Sequence, residues 1–228
     1  MSTFAFVFAR GGSKGLPRKN IKNLNGKPLL VHSIDLAREI KEISEIFVST
    51  EDEEIALIAE DAGAKVIKRP HKLAEDDTPE LLAWKHGLET LKKNNIECTK
   101  FVSIPTTAPL RRTDDVQACL DLFDESADLV ITVSESHRNP FFNMVSMDHE
   151  NFVKILNQND DRYYRRQDVP TTYDVTTVAY VSRPEYIMST NNLFDGRVKA
   201  VKIPNERSID IDSEIDFRIA EIMLKNEH

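Results

Sequence analysis

Two periodicities alternate along most of the chain. Short apolar runs fit strands: TFAFVFA (3–9), EIFVST (45–50), AKVIKR (64–69), KFVSIP (100–105) and DLVITVSE (128–135). Between them apolar residues recur at helical spacing: Leu30, Ile34, Ala37 and Ile40; Ile55, Ile58, Ala59 and Ala62; Val116, Leu120 and Phe123. Pro28 suits a helix's first turn, and Thr113 followed by two aspartates suits another N-terminus. Strand and helix in regular succession predict right-handed βαβ units. The expected fold is α/β in three layers, a mostly parallel sheet flanked by helices. Ligands of such sheets sit beyond the carboxyl ends of the strands.

Near residue 136 the pattern breaks. FFNMVSMDHENFVKIL (141–156) reads as a β-hairpin with DHEN at its turn, and polar residues 157–170 follow it. TTVAYVSR (176–183) and VKAVKIP (198–204) resume strands, and 213–226 closes with a helix. No repeat, low-complexity tract or linker interrupts the run. The expectation is one domain, 1–228, with a protruding insertion over about 136–172.

Composition narrows the function. The 228 residues, 40% hydrophobic and 30% charged, describe a globular chain with enough length for one substantial core. The formal charge of −8 argues against a nucleic-acid backbone as partner. No apolar run approaches the roughly 18 residues that span a bilayer. FAFVFA lacks a preceding basic region and a cleavage site, so a strand is expected there rather than a signal peptide. Cys98 and Cys119 form no CxxC pair and fit a reducing compartment as inert buried thiols, which makes cytoplasm the expected location.

Against that acidic background, ARGGSKGLPRKN (9–20) stands out. Arg10, Lys14, Arg18, Lys19, Lys22 and Lys27 all precede the first acid of the chain, Asp35. A loop that leaves a first strand, carries no side chain at Gly11, Gly12 and Gly15, and is rich in cations suits a polyphosphate. The spacing matches neither the GxxxxGK[ST] loop nor the GxGxxG fingerprint. The competing reading, a flexible turn with solvated cations, sits poorly with six cations and no acid. A second candidate lies near the other end, in SIDID. If that segment is extended, Asp210 and Asp212 share one face, with Ile209 and Ile211 on the other. Such a pair can hold a Mg²⁺ that keeps several waters and bridges phosphate oxygens. The same residues also fit a helix cap at Asp212 or Ser213 with Asp210 solvated, and the residues alone leave both readings open.

These segments resemble the CMP-sugar synthetases, the cytidylyltransferases that activate sialic acids and related nine-carbon keto acids. ARGGSKGLPRKN is similar to that family's N-terminal signature. RPHKLAEDDT (69–78), PTTAPLRR (105–112), RRQDVPTTY (165–173) and ERSIDIDSEIDF (206–217) follow in the family's order. The resemblance implies transfer of CMP from CTP to the anomeric hydroxyl of the sugar acid, with release of pyrophosphate. It places CTP on Ala9, Arg10, Gly11, Gly12, Ser13, Lys14, Lys19, Asn20 and Arg69. It makes Arg10, Lys19, Asp210 and Asp212 catalytic, with Mg²⁺, or Mn²⁺ in its place, on the two aspartates. It assigns the sugar to Arg166, Gln167, Tyr180, Phe194 and Arg138, with Arg165 as a helper. Tyr180, in an alternating strand, reads equally well as a core aromatic. No side chain stands out as general base.

Phe141, Phe142, Val145 and Phe152 give the hairpin more apolar surface than an isolated ribbon buries, which implies a homodimer, as in relatives of this type. Three departures from the sialate pattern imply a sugar of the legionaminate type, a 5,7-diamino nonulosonate. They are Pro105 for a glutamine, Thr176 and Thr177 for an amide and a glycine, and Phe142 about where a lysine is expected. The alternatives are a cytidylyltransferase for the eight-carbon keto acid of lipopolysaccharide, a nucleotidyltransferase for a sugar 1-phosphate, or an inactive nucleotide-binding scaffold.

Overall fold

The computed structural model describes residues 2–157, Tyr163 and 165–226, with the side chain of Arg166 outside that set. The chain opens with β1 (Thr3–Phe8), a hairpin of β2 (Asn23–Leu24) and β3 (Lys27–Pro28), and α1 (Leu29–Glu39). Then come β4 (Ile43–Thr50), α2 (Glu53–Asp61), β5 (Lys65–Lys68), α3 (Glu80–Lys93), β6 (Lys100–Ser103), α4 (Thr113–Leu122) and β7 (Leu129–Glu135). A ribbon of β8 (Val145–Met147) and β9 (Val153–Ile155) precedes β10 (Tyr173–Ser182), α5 (Pro184–Ser189), β11 (Val198–Lys202) and α6 (Glu214–Asn226).

Seven strands form one sheet in the order β11-β7-β10-β6-β1-β4-β5. Every neighbouring pair is parallel except the two made by β10, which runs antiparallel to both β6 and β7. Among the described residues the ribbon pairs only with itself. The turn at DHEN is as expected: Asn151 takes φ 70°, and the Asp148 carboxylate accepts from Glu150 N and Phe152 N. The strands are shorter than the apolar run suggested. Phe141 and Phe142 fall outside them, half-buried near the Asn139 turn, because the Asn139 side chain accepts from Phe141 N and its carbonyl from Phe142 N.

The size alternation within β1 decides how the layers pack. Phe4, Phe6 and Phe8 face α3 and α5 in an aromatic cluster with Phe47, Trp84 and Phe101. Ala5, Val7 and Ala9 face the other way, where small side chains let α1, α2 and α4 lie close to the sheet. A smaller cluster joins Leu16 and Leu24 of the first loop to Leu110, Ile211 and Phe217. That contact brings residues almost 200 positions apart in the sequence to one end of the sheet.

Candidate active site

At the carboxyl ends of β1, β5 and β6 lies a cleft of about 340 Å³. Arg10, Gly12, Ser13, Lys19, Asn20, Arg69, Asp210 and Asp212 all line it. Its remaining walls include Phe8, Asp76, Thr78, Glu80, Pro105, Thr107 and Thr177. Thus five residues of the first loop and both aspartates share one cavity, while Ala9, Gly11 and Lys14 are not among its lining residues.

Close backbone approach explains two of the loop's glycines. A Cβ on Gly15 would collide with the carbonyl oxygen of Asp212, so the loop lies directly on the aspartate segment. A Cβ on Gly11 would strike the Asp52 carboxylate. The Gly11 N–H donates to Glu51 at 2.7 Å, and the other Glu51 oxygen takes the buried Arg69 guanidinium at 3.0 Å. Arg69 therefore braces the loop through Glu51 as well as lining the cleft. Asn20 braces from inside: it donates to Arg10 O at 2.9 Å and accepts from the Thr106 hydroxyl at 2.6 Å. Ala9 is buried in the core, with its N–H on Ser49 O.

The basic loop is not charge-isolated in the fold. Arg10 and Lys14 share Asp76, at 2.8 and 2.9 Å. Arg18 pairs with Asp52 and Glu54, Lys22 with Glu214, and Lys27 with Asp35. Lys19 is the most enclosed cation of the loop, its side chain 11% exposed. Its ammonium donates to Ile211 O and, at 3.1 Å, to Asp212, which leaves one of three N–H donors for a substrate oxygen. Arg18 adopts φ 56°, a left-handed conformation held by its two acidic partners.

Residues 209–212 join neither the sheet nor a helix, and the face division expected for SIDID holds. Ile209 and Ile211 pack against Leu16 and Phe217, while both carboxylates line the cleft. Ser213 does cap α6: its hydroxyl accepts from Asp216 N at 3.4 Å, while the Asp216 carboxylate accepts from the N–H groups of Asp212 and Ser213. That cap leaves Asp210, half-buried rather than solvated, unexplained. Burial, and then the neighbouring Asp212 charge, push the Asp210 carboxyl up against hydrogen bonds from Thr107 and Thr177. Its Oδ1 is buried with no hydrogen-bond partner among the described residues. An orphaned carboxylate oxygen beside a second, open carboxylate fits a hard divalent cation that keeps most of its waters. Among the described residues no cluster of three or more acidic, histidine or cysteine ligands offers a complete protein cage.

The sugar residues implied by resemblance do not gather in this cleft within one chain. Gln167 lines a separate cleft with Glu135, Asn139 and Thr172. Arg138 is exposed, Phe194 is 58% exposed on the turn after α5, and the Arg166 side chain lies outside the described residues. The Tyr180 ring packs in the core, 5.3 Å from Trp84. Burial, with the charges of Glu80 and Asp210, pushes its phenol up. Of the departures from the sialate pattern, Pro105 and Thr177 line the cleft. Thr176 instead is buried in the sheet against Thr132 at 2.7 Å, because successive side chains of a strand point to opposite faces.

Three features escaped the sequence reading. Arg111 is buried beneath the cleft, donating to Ser33 Oγ and to the carbonyls of Pro105 and Thr177. Burial pushes its guanidinium down to about 9. Asp76 holds the loop's outer cations, and Glu80 stands in the cleft wall. The Asn25–Gly26 turn between β2 and β3, with φ 48° and 92°, was legible as an Asn-Gly hairpin signal. Cys98 and Cys119 are free, and burial pushes both thiols up to about 12, so they stay protonated at neutral pH. Among the described residues no helix is long and apolar enough to cross a membrane.

Comparison with known proteins gives a consistent picture. The profile of a family described as cytidylyltransferase matches residues 4–222. The chain is 32% identical over 225 residues to a CMP-N,N'-diacetyllegionaminic acid synthase of Campylobacter jejuni, covering 96% of this chain and 94% of that one. It is 30% identical to the post-translational flagellin modification protein B of Campylobacter coli, covering 97% and 94%. It is also 30% identical to an N-acylneuraminate cytidylyltransferase of Streptococcus agalactiae, covering 95% of this chain but about half, 52%, of that one. A solved CMP:2-keto-3-deoxy-manno-octonic acid synthetase, complexed with CTP, superposes with a TM-score of 0.75 over the whole of both chains at 14% identity. At that identity the likeness is one of fold.

Proposed function

This chain belongs to the cytidylyltransferase family, and we propose that it transfers CMP from CTP to the anomeric hydroxyl of a nine-carbon 2-keto sugar acid. The observation that carries this is the single cleft in which Arg10, Ser13 and Lys19 of the first loop meet Asp210 and Asp212. In the reaction the anomeric oxygen attacks the α-phosphorus, the bond from that phosphorus to the bridging oxygen breaks, and pyrophosphate leaves. Positioning and charge neutralisation dominate such a transfer. The loop's open backbone, Arg10 and Lys14 receive the triphosphate. Lys19, fixed by Ile211 O and Asp212, presents its remaining donor to the developing charge. Asp210 and Asp212 would hold Mg²⁺, or Mn²⁺ in its place, which when bound neutralises phosphate charge.

Within the nonulosonates we propose the diacetylated, legionaminate-like class. Pro105 on the cleft wall offers the sugar less polarity than the glutamine of the sialate pattern. The relative at 32% identity carries the legionaminic name. A second copy of the chain would cover the ribbon, whose Val145, Met147, Phe152 and Val153 are 52–70% exposed. A cytoplasmic location fits CTP as the donor. The test is pyrophosphate release from CTP across N,N'-diacetyllegionaminate, N-acetylneuraminate, the eight-carbon keto acid and a sugar 1-phosphate. Higher kcat/KM with N-acetylneuraminate than with the diacetylated sugar would reject the finer reading. Activity only with a sugar 1-phosphate would reject the coarser one.

A further inference from the structure

We propose that Glu51 is a positioning residue for the nucleotide: its one carboxylate fixes the first loop and Arg69 relative to each other and so sets the affinity for CTP. The proposal rests on the CMP transfer proposed above and concerns a residue outside every motif that carries the family resemblance.

Glu51 follows the last residue of β4 and stands between the ends of two neighbouring strands. β4 pairs with β1 on one side, Phe8 opposite Ser49, and with β5 on the other, Thr50 opposite Lys68. Both pairings are parallel, so all three strands leave the sheet at the end where ligands of such folds sit. There β1 runs into the first loop and β5 into Arg69. The backbone starts the link: Ala9 N–H donates to Ser49 O at 3.1 Å and Arg69 N–H to Thr50 O at 2.9 Å. The Glu51 side chain, 9% exposed, completes it beyond the sheet. One oxygen accepts from Gly11 N at 2.7 Å and the other from the Arg69 guanidinium at 3.0 Å. Among the described residues no other carboxylate pairs with Arg69, whose Nε is buried without a hydrogen-bond partner.

Glu51 is not among the residues that line the cleft, whereas Arg69 and the two neighbours of Gly11, Arg10 and Gly12, are. It therefore acts through the groups it holds. Two effects of its carboxylate oppose each other at the nucleotide. As a charge beside the loop it repels a triphosphate, and as a brace it fixes a backbone and a cation that the triphosphate needs. Arg69 already offsets the charge, which leaves a repulsion on the scale of one screened ion, about threefold in affinity. Without the carboxylate, Arg69 becomes a buried charge with no partner and Gly11 loses its anchor. A buried charge stripped of its partner is costly, and binding groups displaced by about 1 Å can lose up to a hundredfold. The brace outweighs the repulsion.

The test compares Glu51→Gln and Glu51→Ala with the wild type. CTP is titrated calorimetrically in Mg²⁺ without acceptor, and KM and kcat are measured with CTP and the best sugar acid varied in turn. Glu51→Ala should raise the Kd and KM for CTP about tenfold or more, with the KM for the sugar acid within twofold. Glu51→Gln keeps an oxygen for Gly11 N and the size of the side chain but loses the charge on Arg69, so about fivefold is expected. Repulsion alone demands the opposite sign, a CTP site that tightens in both variants, and that result would overturn the proposal. So would an unchanged Kd for CTP beside a lowered thermal midpoint, which would make Glu51 a brace for the fold alone. In an Arg69→Met background the effect of Glu51→Gln should shrink to within about twofold, and an undiminished effect would show that Glu51 does not act through Arg69. If Glu51→Ala does not fold, Glu51→Gln alone decides the sign. Failure of the wild type to transfer CMP to any sugar acid would instead overturn the reaction, while the CTP titrations still decide the role of Glu51.

Discussion

The basic loop at one end of the sheet and the ribbon protruding from the other part of the chain answer the same problem in opposite ways. Each concentrates something a folded chain does not leave uncompensated: six cations in the loop, exposed apolar side chains in the ribbon. The loop solves its problem internally. Asp76, Asp52, Glu54, Asp212, Glu214 and Asp35 each travel through the fold to meet a cation. The ribbon does not: among the described residues β8 and β9 pair only with each other, and Met147 and Phe152 remain 65% and 70% exposed. A charge can be neutralised by one side chain brought close, whereas a flat apolar face needs a surface of matching size. The loop's charges are met within one chain, whereas the ribbon's apolar side chains stay exposed.

The strongest way to break the loop side of this contrast is at its far anchor. Asp212→Asn or Asp210→Asn should lower kcat at saturating Mg²⁺ by about a hundredfold or more, since either removes a carboxylate that would hold the cation neutralising the transferring phosphate. Full turnover in both variants would leave the pair with no role in catalysis. Next in size is Arg111→Met, which strips donors from buried Ser33, Pro105 and Thr177. It should cost about 3 kcal/mol in chemical unfolding. A loss under about 1 kcal/mol would show that water replaces the guanidinium.

The ribbon side should respond in association rather than stability. Sedimentation of the wild type should give a dimer at micromolar concentration, and Phe152→Lys with Val153→Lys should give a monomer. The unfolding free energy of that monomer should stay within about 0.5 kcal/mol of an exposed-site change. A monomeric wild type would remove the contrast altogether. The smallest effect concerns Asp76, an acid on the two cations that would receive the triphosphate. Its replacement by asparagine should lower the KM for CTP about threefold, the scale of one exposed ion pair. An increase would make Asp76 part of the nucleotide site rather than a competitor for its cations.

Much of this was legible before any coordinates. The alternation of strands and helices, the hairpin turn at DHEN and the opposed faces of SIDID all follow from local periods of two and about 3.6 residues. Those periods are properties of the backbone, so a sequence shows them directly. The order of glycines and cations in the first loop likewise announced an anion site. Tertiary structure alone decided which partners those residues keep. Nothing near Lys19 in the chain indicates Asp212, and nothing in the Met1–Ile34 stretch indicates that its cations are all paired. Tyr180 could be core or wall until Trp84 was placed beside it. Arg111 takes its meaning from burial against Thr177, 66 residues away. Periodicity is written one residue after the next, whereas charge pairing and desolvation depend on which distant segments the packed core brings together.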